Sequence, residues 1–402
     1  MLDKLLDAAV RYRWAVVALT LVVAAYGAFQ LFKLPIDAVP DITNKQVQIN
    51  TQAPAFGPLD MERLVTFPVE TAMAGIPGLD STRSISRNGF SQVTVIFDDD
   101  VDIYFARQQV AERLTQAGDS LPEGVEPQMG PLSTGLGEIL MWTVDYAPAA
   151  SAKSPRIAGR PGFQPDGSFL TPEGERLTDE VAKAAYLRTV QDWVVRPQLR
   201  SVEGVAGIDS IGGYEKQLVV QPDASRLASY GISFSELAEG LERANISVGA
   251  NFVQRAGEAF LVRADARIRT EDEIGRTAIA TRGGVPILVR DVAEVRTGGD
   301  LRTGAASMNG REVVVGTALM LVNGNSRIVA EAVRERLENV AKSLPPGIQV
   351  KVVYDRAALV EATIGTVEKN LLEGALLVAA VLFWLLGNIR AAIIATLVIP
   401  LS

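Results

Sequence analysis

The chain offers few side chains for chemistry, because its 402 residues contain no His and no Cys. This absence excludes His-based catalytic triads, His or thiolate metal sites and disulfides at once. Carboxylates, hydroxyls, amides, Lys, Arg and Met remain, and we find no arrangement of nucleophile, acid and base that indicates an enzyme. A divalent cation would therefore need carboxylate oxygen, whereas monovalent copper or silver would prefer the sulfur of Met.

Two carboxylates stand out by their placement. Glu138, in "TGLGEI", lies at the flexible entry to a predicted strand, and Asp192, in "VQDWVV", lies on the predicted helix that packs with that strand. A simpler interpretation makes Glu138 a surface acid. It makes Asp192 a helix-surface charge paired with Arg188 or Arg196, one turn away in either direction.

The Met residues do not have the spacing of ligands. Beyond the first residue they occur at positions 61, 73, 129, 141, 308 and 320, with no close pair. Met fills irregular gaps in hydrophobic cores, so we interpret most of them as core residues.

The elements that position Glu138 and Asp192 follow a repeated order. Residues 40–130 read as strand, helix, two strands and helix, with the turn signal Asn88-Gly89 between the two strands. This order is a split-βαβ, ferredoxin-like pattern. A second unit follows, and "VAERLTQAGDSLPEGVEP" in the first parallels "VRERLENVAKSLPPGIQV" in the second, which indicates duplication.

Two further segments interrupt the second unit. Residues 214–298 contain strand and helix patterns of their own, which predicts an inserted subdomain. Residues 147–180 are rich in Pro, Gly, Ser and Ala without periodicity, which predicts a mobile surface loop.

Two apolar segments flank these units. Trp14–Phe32 carries no charge over 19 residues, and a second apolar pattern covers 358–386, so we expect two transmembrane helices. A cleaved signal peptide is the alternative for the first segment. The apolar run from Ala391 resembles the start of a third helix, so we expect the chain to be the N-terminal portion of a larger multi-pass protein. The positive residues flanking the helices place the large segment outside the cytoplasm; they are Lys4, Arg11, Arg13 and Arg390.

The chain resembles the heavy-metal-efflux branch of the resistance-nodulation-division transporter family. The resemblance covers nearly the whole chain. It is carried by "LPIDAVPDIT", "MAGIPGLDSTRSISRNGFSQVTVIF", "YFARQQVAERL", "GPLSTGLGEI", "QDWVVRPQLRSVEGV", "VVYDRAALVEATIGTVEKNLLEGA" and "LFWLLGNIRAAIIATLVIPLS".

The resemblance implies an α+β membrane protein, with transmembrane helices and periplasmic porter subdomains of the duplicated split-βαβ kind. The predicted divisions are a cytoplasmic N-terminus with the first transmembrane helix (1–33), the first porter subdomain (34–134), the second porter subdomain in two parts (135–213 and 299–357), an inserted docking subdomain (214–298), the second transmembrane helix (358–386), and a cytoplasmic turn with the start of a third helix (387–402).

The resemblance also implies a function. It indicates a homotrimeric, proton-driven pump of the bacterial inner membrane that contacts lipid and acts with a periplasmic adaptor and an outer-membrane channel. The transported cation is the only metal, and no resident cofactor is expected. Acids matching Glu138 and Asp192 are candidate ligands in the divalent-metal members, and Glu138 favours Zn, Co or Cd over Cu and Ag.

Other functions stay open from the sequence. A drug or dye pump of the same superfamily should show an aromatic-lined pocket, and aromatic residues make up only 6% of the chain. A membrane-anchored periplasmic binding or export module could share the architecture. The net charge of −8 disfavours nucleic acid as a partner.

Overall fold

The computed structural model describes residues 10–31, 42–147, 159–255, 258–265, 267–268, 270–299, 304–387 and 389–390. The predicted start of a third helix, after residue 390, lies outside these ranges. Residues 1–9 of the predicted N-terminal segment also lie outside them. The order of elements in the remainder follows the two predicted units.

The first unit places a four-stranded antiparallel sheet against two helical segments. Its strands pair in the order β2-β3-β1-β4, with Ile49 of β1 opposite Val93 of β3. A fourth strand, too short to read from the sequence, completes a βαββαβ order. The elements are β1 (Gln46–Gln52), α2 (pieces Pro58–Met61, Glu62–Thr66 and Phe67–Met73), β2 (Leu79–Arg87), β3 (Phe90–Phe97), α3 (Ile103–Ala117) and β4 (Pro127–Met129), after an N-terminal helix α1 (Arg13–Leu31).

The second unit repeats this order around the predicted insertion. Its sheet runs β9-β17-β5-β18, which is the strand order of the first sheet, and a short β16 also pairs with β17. The elements are β5 (Glu138–Tyr146), α4 (pieces Glu180–Val190, Gln191–Val195 and Arg196–Arg200), β9 (Val205–Ile211), β16 (Ala306–Met308), β17 (Arg311–Met320), α9 (Ser326–Ala341), β18 (Ile348–Asp355) and α10 (Arg356–Leu386).

Both α2 and α4 contain one π turn at the same place. The Phe67 N–H bonds to the carbonyl of Glu62 and the Arg196 N–H to that of Gln191, five residues back in each case. A proline follows each of these residues, Pro68 and Pro197. Because proline has no N–H, it breaks the i→i−4 ladder, and the π turn accommodates the break.

The insertion leaves and re-enters the second unit through paired strands. β10 (Lys216–Pro222) and β15 (Ala293–Gly299) are antiparallel neighbours, with Lys216 opposite Gly299. A separate hydrophobic core around Leu237 and Val289 holds the insertion together. Between the two strands lie α5 (Ala224–Tyr230), α6 (Phe234–Ala244), β11 (Ser247–Arg255), β12 (Glu258–Asp265), α7 (Glu271–Gly275), β13 (Ala278–Arg282), β14 (Val285–Leu288) and α8 (Val289–Val292).

The prediction of a mobile loop over 147–180 is wrong for residues 162–177. This segment, here called the flap, forms a three-stranded sheet from β6 (Gly162–Phe163), β7 (Phe169–Leu170) and β8 (Arg176–Leu177). Phe169 is fully buried, with its ring centroid 4.8 Å from that of Tyr146 and 5.3 Å from that of Phe163. Aromatic burial therefore orders a segment whose composition suggested a loop.

Helices α1 and α10 carry half of the large exposed apolar side chains among the described residues. At the start of α10, however, Ala357 and Val360 are buried, and Ala357 belongs to the core of the second unit. Among the described residues, we find no helix that is both long enough and apolar enough to cross a membrane. The predicted transmembrane spans are therefore not confirmed.

Candidate metal-binding carboxylates

Glu138 is the first residue of β5 and lies opposite Leu319 of β17. Its side chain is exposed and makes no hydrogen bond or ion pair within the described part of the chain. The backbone on its N-terminal side is nevertheless fixed, because the Gly137 carbonyl accepts the Met320 N–H at 2.8 Å. The Arg356 side chain also donates to the Leu136 carbonyl. Glu138 thus has an available carboxylate at a well-defined position.

The segment before Glu138 is a tight turn that requires glycine. The Gly137 N–H bonds to the Thr134 carbonyl at 2.9 Å, which closes the turn. A Cβ added to Gly137 would lie 1.9 Å from Ser133 Oγ and 3.0 Å from the Thr134 carbonyl oxygen. The predicted flexible entry to the strand is therefore a closed turn that packs against the end of β17.

Asp192 lies in the π turn of α4, and its carboxylate is mostly buried. Arg188 Nε donates to Oδ2 at 2.5 Å, and Ser210 Oγ donates to Oδ1 at 2.6 Å. Arg196 Nη1 lies 3.6 Å from Oδ1. Both oxygens have partners, so the predicted pairing of Asp192 is confirmed, with Arg188 and Arg196 both taking part, but the carboxylate is not a surface charge as that interpretation expected.

The same contacts extend into the core of the second unit. Gln191 is fully buried, and its Oε1 accepts the indole N–H of Trp142 at 3.0 Å while its Nε2 lies 3.3 Å from Ser210 Oγ. We call the group Arg188, Gln191, Asp192, Arg196 and Ser210 the Asp192 network. Ser210 could not be predicted as a member, because it lies 18 residues from Asp192 along the chain.

A third carboxylate, Asp145, was missed by the sequence analysis. It is 3% exposed on β5, its Oδ2 receives Arg311 Nη2 at 2.6 Å, and its Oδ1 accepts the Tyr146 N–H at 2.7 Å. Burial raises the pKa of Asp145, and the charge of Arg311 opposes that rise. The sequence of β5 did not indicate that Asp145 is buried. Nearly all residues of this strand are buried, so it has no alternation of buried and exposed positions.

These acids do not form a complete metal site. Within the part of the chain that the structure describes, no three acids cluster so that they could hold an ion. Met61 and Met73 are fully buried, as expected of core residues, whereas the Met residues at positions 129, 141, 308 and 320 are half-buried. Of the two predicted ligands, only Glu138 has an unoccupied carboxylate, and a site built on it would need ligands from outside the described residues.

Comparison with known proteins gives a consistent set of relatives. The profile of the AcrB/AcrD/AcrF family matches residues 5–402. The chain is 61% identical over 403 residues to the nickel-cobalt-cadmium resistance protein NccA of Alcaligenes xylosoxydans xylosoxydans, with 100% of this chain and 37% of that protein covered. It is 48% identical over 402 residues to the cobalt-zinc-cadmium resistance protein CzcA of Cupriavidus metallidurans, with 100% and 36% covered.

A solved structure shares the fold. An X-ray crystal structure of a heavy metal efflux pump superposes with a TM-score of 0.82 at 31% identity, over 99% of this chain and 37% of that one. The chain therefore spans about 37% of the length of these relatives.

Proposed function

Because the chain belongs to the AcrB/AcrD/AcrF family, as its resemblance to heavy-metal efflux transporters predicted, we propose that the whole protein exports divalent heavy-metal cations. The observation that carries the proposal is 61% identity, over the full chain, to a nickel-cobalt-cadmium resistance protein. The proposed cations are Ni, Co and Cd, with Zn suggested by the more distant CzcA. Nickel extends the Zn, Co and Cd set expected from the sequence.

We propose Glu138 as a ligand on the transport path. Its carboxylate is exposed and unpaired within the described residues. The backbone before it forms a closed, hydrogen-bonded turn, so the position of Glu138 is well defined. Borderline divalent cations accept oxygen ligands, which fits this chemistry. Asp192 could serve as a second ligand only if Arg188 and Ser210 released its oxygens.

The working assembly is also proposed from the family. We propose a homotrimer in the bacterial inner membrane, driven by proton influx and joined to a periplasmic adaptor and an outer-membrane channel. The exposed apolar side chains of α1 and α10 support a lipid environment for these helices, since contiguous apolar surface of this kind is costly in water. The insertion is the proposed docking subdomain.

The test is metal tolerance in a strain that lacks the full-length gene. The strain is complemented with wild type, Glu138→Ala, Glu138→Gln or Glu203→Gln, and challenged with Ni, Co, Cd, Zn, Cu, Ag and a cationic dye. Glu203 is an exposed acid in the same unit and serves as the matched control. Loss of a group that only orients a ligand typically weakens metal binding or activity about 10- to 100-fold, so loss of the proposed ligand itself should cost at least about tenfold, and both Glu138 variants should lose tolerance at wild-type protein levels.

The outcomes separate the alternatives. Sensitivity to Ni, Co, Cd or Zn that wild type and Glu203→Gln rescue, but the Glu138 variants do not, supports the proposal. Sensitivity confined to Cu and Ag overturns the choice of cation. Sensitivity to the dye alone indicates a multidrug pump, and no sensitivity at all favours a binding or export module.

A further inference from the structure

The chain enters the insertion through two consecutive glycines. β9 ends at Ile211, Gly212 and Gly213 follow with φ of +87° and +67°, and β10 begins at Lys216. A Cβ on Gly212 would lie 2.6 Å from the Val313 carbonyl oxygen, and one on Gly213 would lie 2.8 Å from the Ala184 carbonyl oxygen. The junction is thus packed tightly between β17 and α4.

The Asp192 network grips the strand that leads into this junction. Arg188, which holds Asp192, also donates from Nη1 to the Gly212 carbonyl at 3.0 Å. Arg196, on the other side of Asp192, donates from Nε to the Ile208 carbonyl at 2.9 Å. With the Ser210 hydroxyl, α4 thereby holds alternate residues of β9 up to the first glycine.

The first unit provides an internal comparison. Aligning the two π turns pairs Glu62 with Gln191 and Pro68 with Pro197, an offset of 129 residues. At the same offset, the residue of the first unit equivalent to Asp192 is Arg63, and Arg63 is exposed. The carboxylate at the centre of the network therefore exists only in the unit that carries the insertion.

A second contact at the junction is weaker. Lys216 Nζ lies 2.7 Å from Glu175 Oε2 of the flap, but the two side chains are 40% and 47% exposed. Exposed ion pairs contribute little to stability, whereas the side chains of Arg188 and Asp192 are only 23% and 17% exposed. Of these two contacts, the Asp192 network is therefore the one better shielded from water.

We propose that Asp192 is a positioning residue, which acts through Arg188 and Ser210 to fix the path of the chain from β9 into the insertion. The inserted subdomain is thereby held in one orientation on the second unit. This role needs no bound metal and does not depend on the proposed function.

The test is hydrogen exchange in the purified full-length protein. Asp192→Asn places an amide donor or a neutral oxygen opposite Arg188, and Arg188→Lys cannot reach Asp192 and Gly212 with the same planar group. Both should lower the protection of amides in Lys216–Pro222 about tenfold or more. Asp209 is an exposed acid of β9, so Asp209→Asn should leave this protection unchanged. Ser210→Ala should also lower the protection, whereas Ser210→Thr should keep it, because Thr retains the hydroxyl.

The result that overturns the proposal is equally specific. Wild-type protection of Lys216–Pro222 in Asp192→Asn would refute it, and so would an equal loss in Phe90–Phe97 of the first unit, since the effect would then not be local. If Asp192→Asn does not fold, Arg188→Lys and Ser210→Ala give the same reading. Metal tolerance provides a separate measure: loss of position should lower tolerance of all transported cations by one factor, whereas a lost ligand should change their ranking.

Discussion

Substituting Gly316 with Ala should destabilise the second unit, because the indole of Trp142 occupies the space of the missing side chain. Gly316 of β17 pairs directly with Trp142 of β5, and Trp142 is fully buried. An added Cβ would lie 2.3 Å from Trp142 Cε2 and 2.5 Å from Nε1. Ordinary contact begins at 3.4 Å, so the Trp142 ring would have to move by about 1 Å, which would disturb the hydrogen bond from its N–H to Gln191.

The expected cost follows from overpacking. Extra carbon in a well-packed core typically costs about 1–3 kcal/mol, which corresponds to a loss of about 5- to 160-fold in hydrogen-exchange protection when exchange reports local stability. The measurement is the protection of amides in Glu138–Tyr146 of the full-length protein. Gly118→Ala is the control, because nothing lies within 4 Å of a Cβ at Gly118 and its φ is not positive.

A double substitution isolates the cause. Trp142→Phe removes most of the clashing atoms, although it leaves the Gln191 oxygen without its donor and is itself costly, by about 1–3 kcal/mol. Gly316→Ala should therefore cost at least ~1 kcal/mol less in the Trp142→Phe background than in wild type. Additive costs, or wild-type protection in Gly316→Ala, would refute the explanation.

Two further predictions concern the flap and the missed acid. Phe169→Ala should remove the packing of the flap on Tyr146 at a cost of about 3–5 kcal/mol, so amides of residues 162–177 should lose protection; retention of wild-type exchange there would contradict it. The raised pKa of Asp145 means that the folded state binds its proton more tightly than the unfolded state. Its contribution to stability is therefore greatest below the ordinary value of 3.8 and is lost as the pH rises through the folded pKa. As the pH is lowered from 7 to 4, the thermal midpoint of wild type should thus rise relative to that of Asp145→Asn. A relative fall of the wild-type midpoint would contradict the assignment.

Periodicity was sufficient to find the long elements of both units. Alternation in β1 and the 3.6-residue pattern of α2 and α3 are local signals, and they correspond to elements in the structure, as does the repeated order that predicted the second unit. The short strands were not predicted, because two or three residues cannot show a period. β4, β16 and the flap strands are of this kind, and Phe169 is buried by a partner 23 residues away in sequence, Tyr146.

The candidate site was less predictable than the fold. The Asp192 pairs with Arg188 and Arg196 could be read from i±4 spacing, because a helix brings such residues together. The contacts of Ser210 and Gln191 depend on how α4 lies on the sheet, which no local pattern contains. The exposure of Glu138 likewise depends on how the start of β5 packs against β17, and the neighbouring residues in the sequence do not reveal it.

The paired π turns also record the history of the chain. Each is a local irregularity that a helix would ordinarily lose, yet both copies retain it with proline at the same offset. A single ancestral unit that already contained the π turn accounts for this more simply than two independent origins. The two copies now differ at the second position of the π turn, Arg63 in the first copy and Asp192 in the second, and the copy with Asp192 is the one that carries the insertion. The π turn, like the βαββαβ order that both units share, is therefore a property of the unit before it was duplicated.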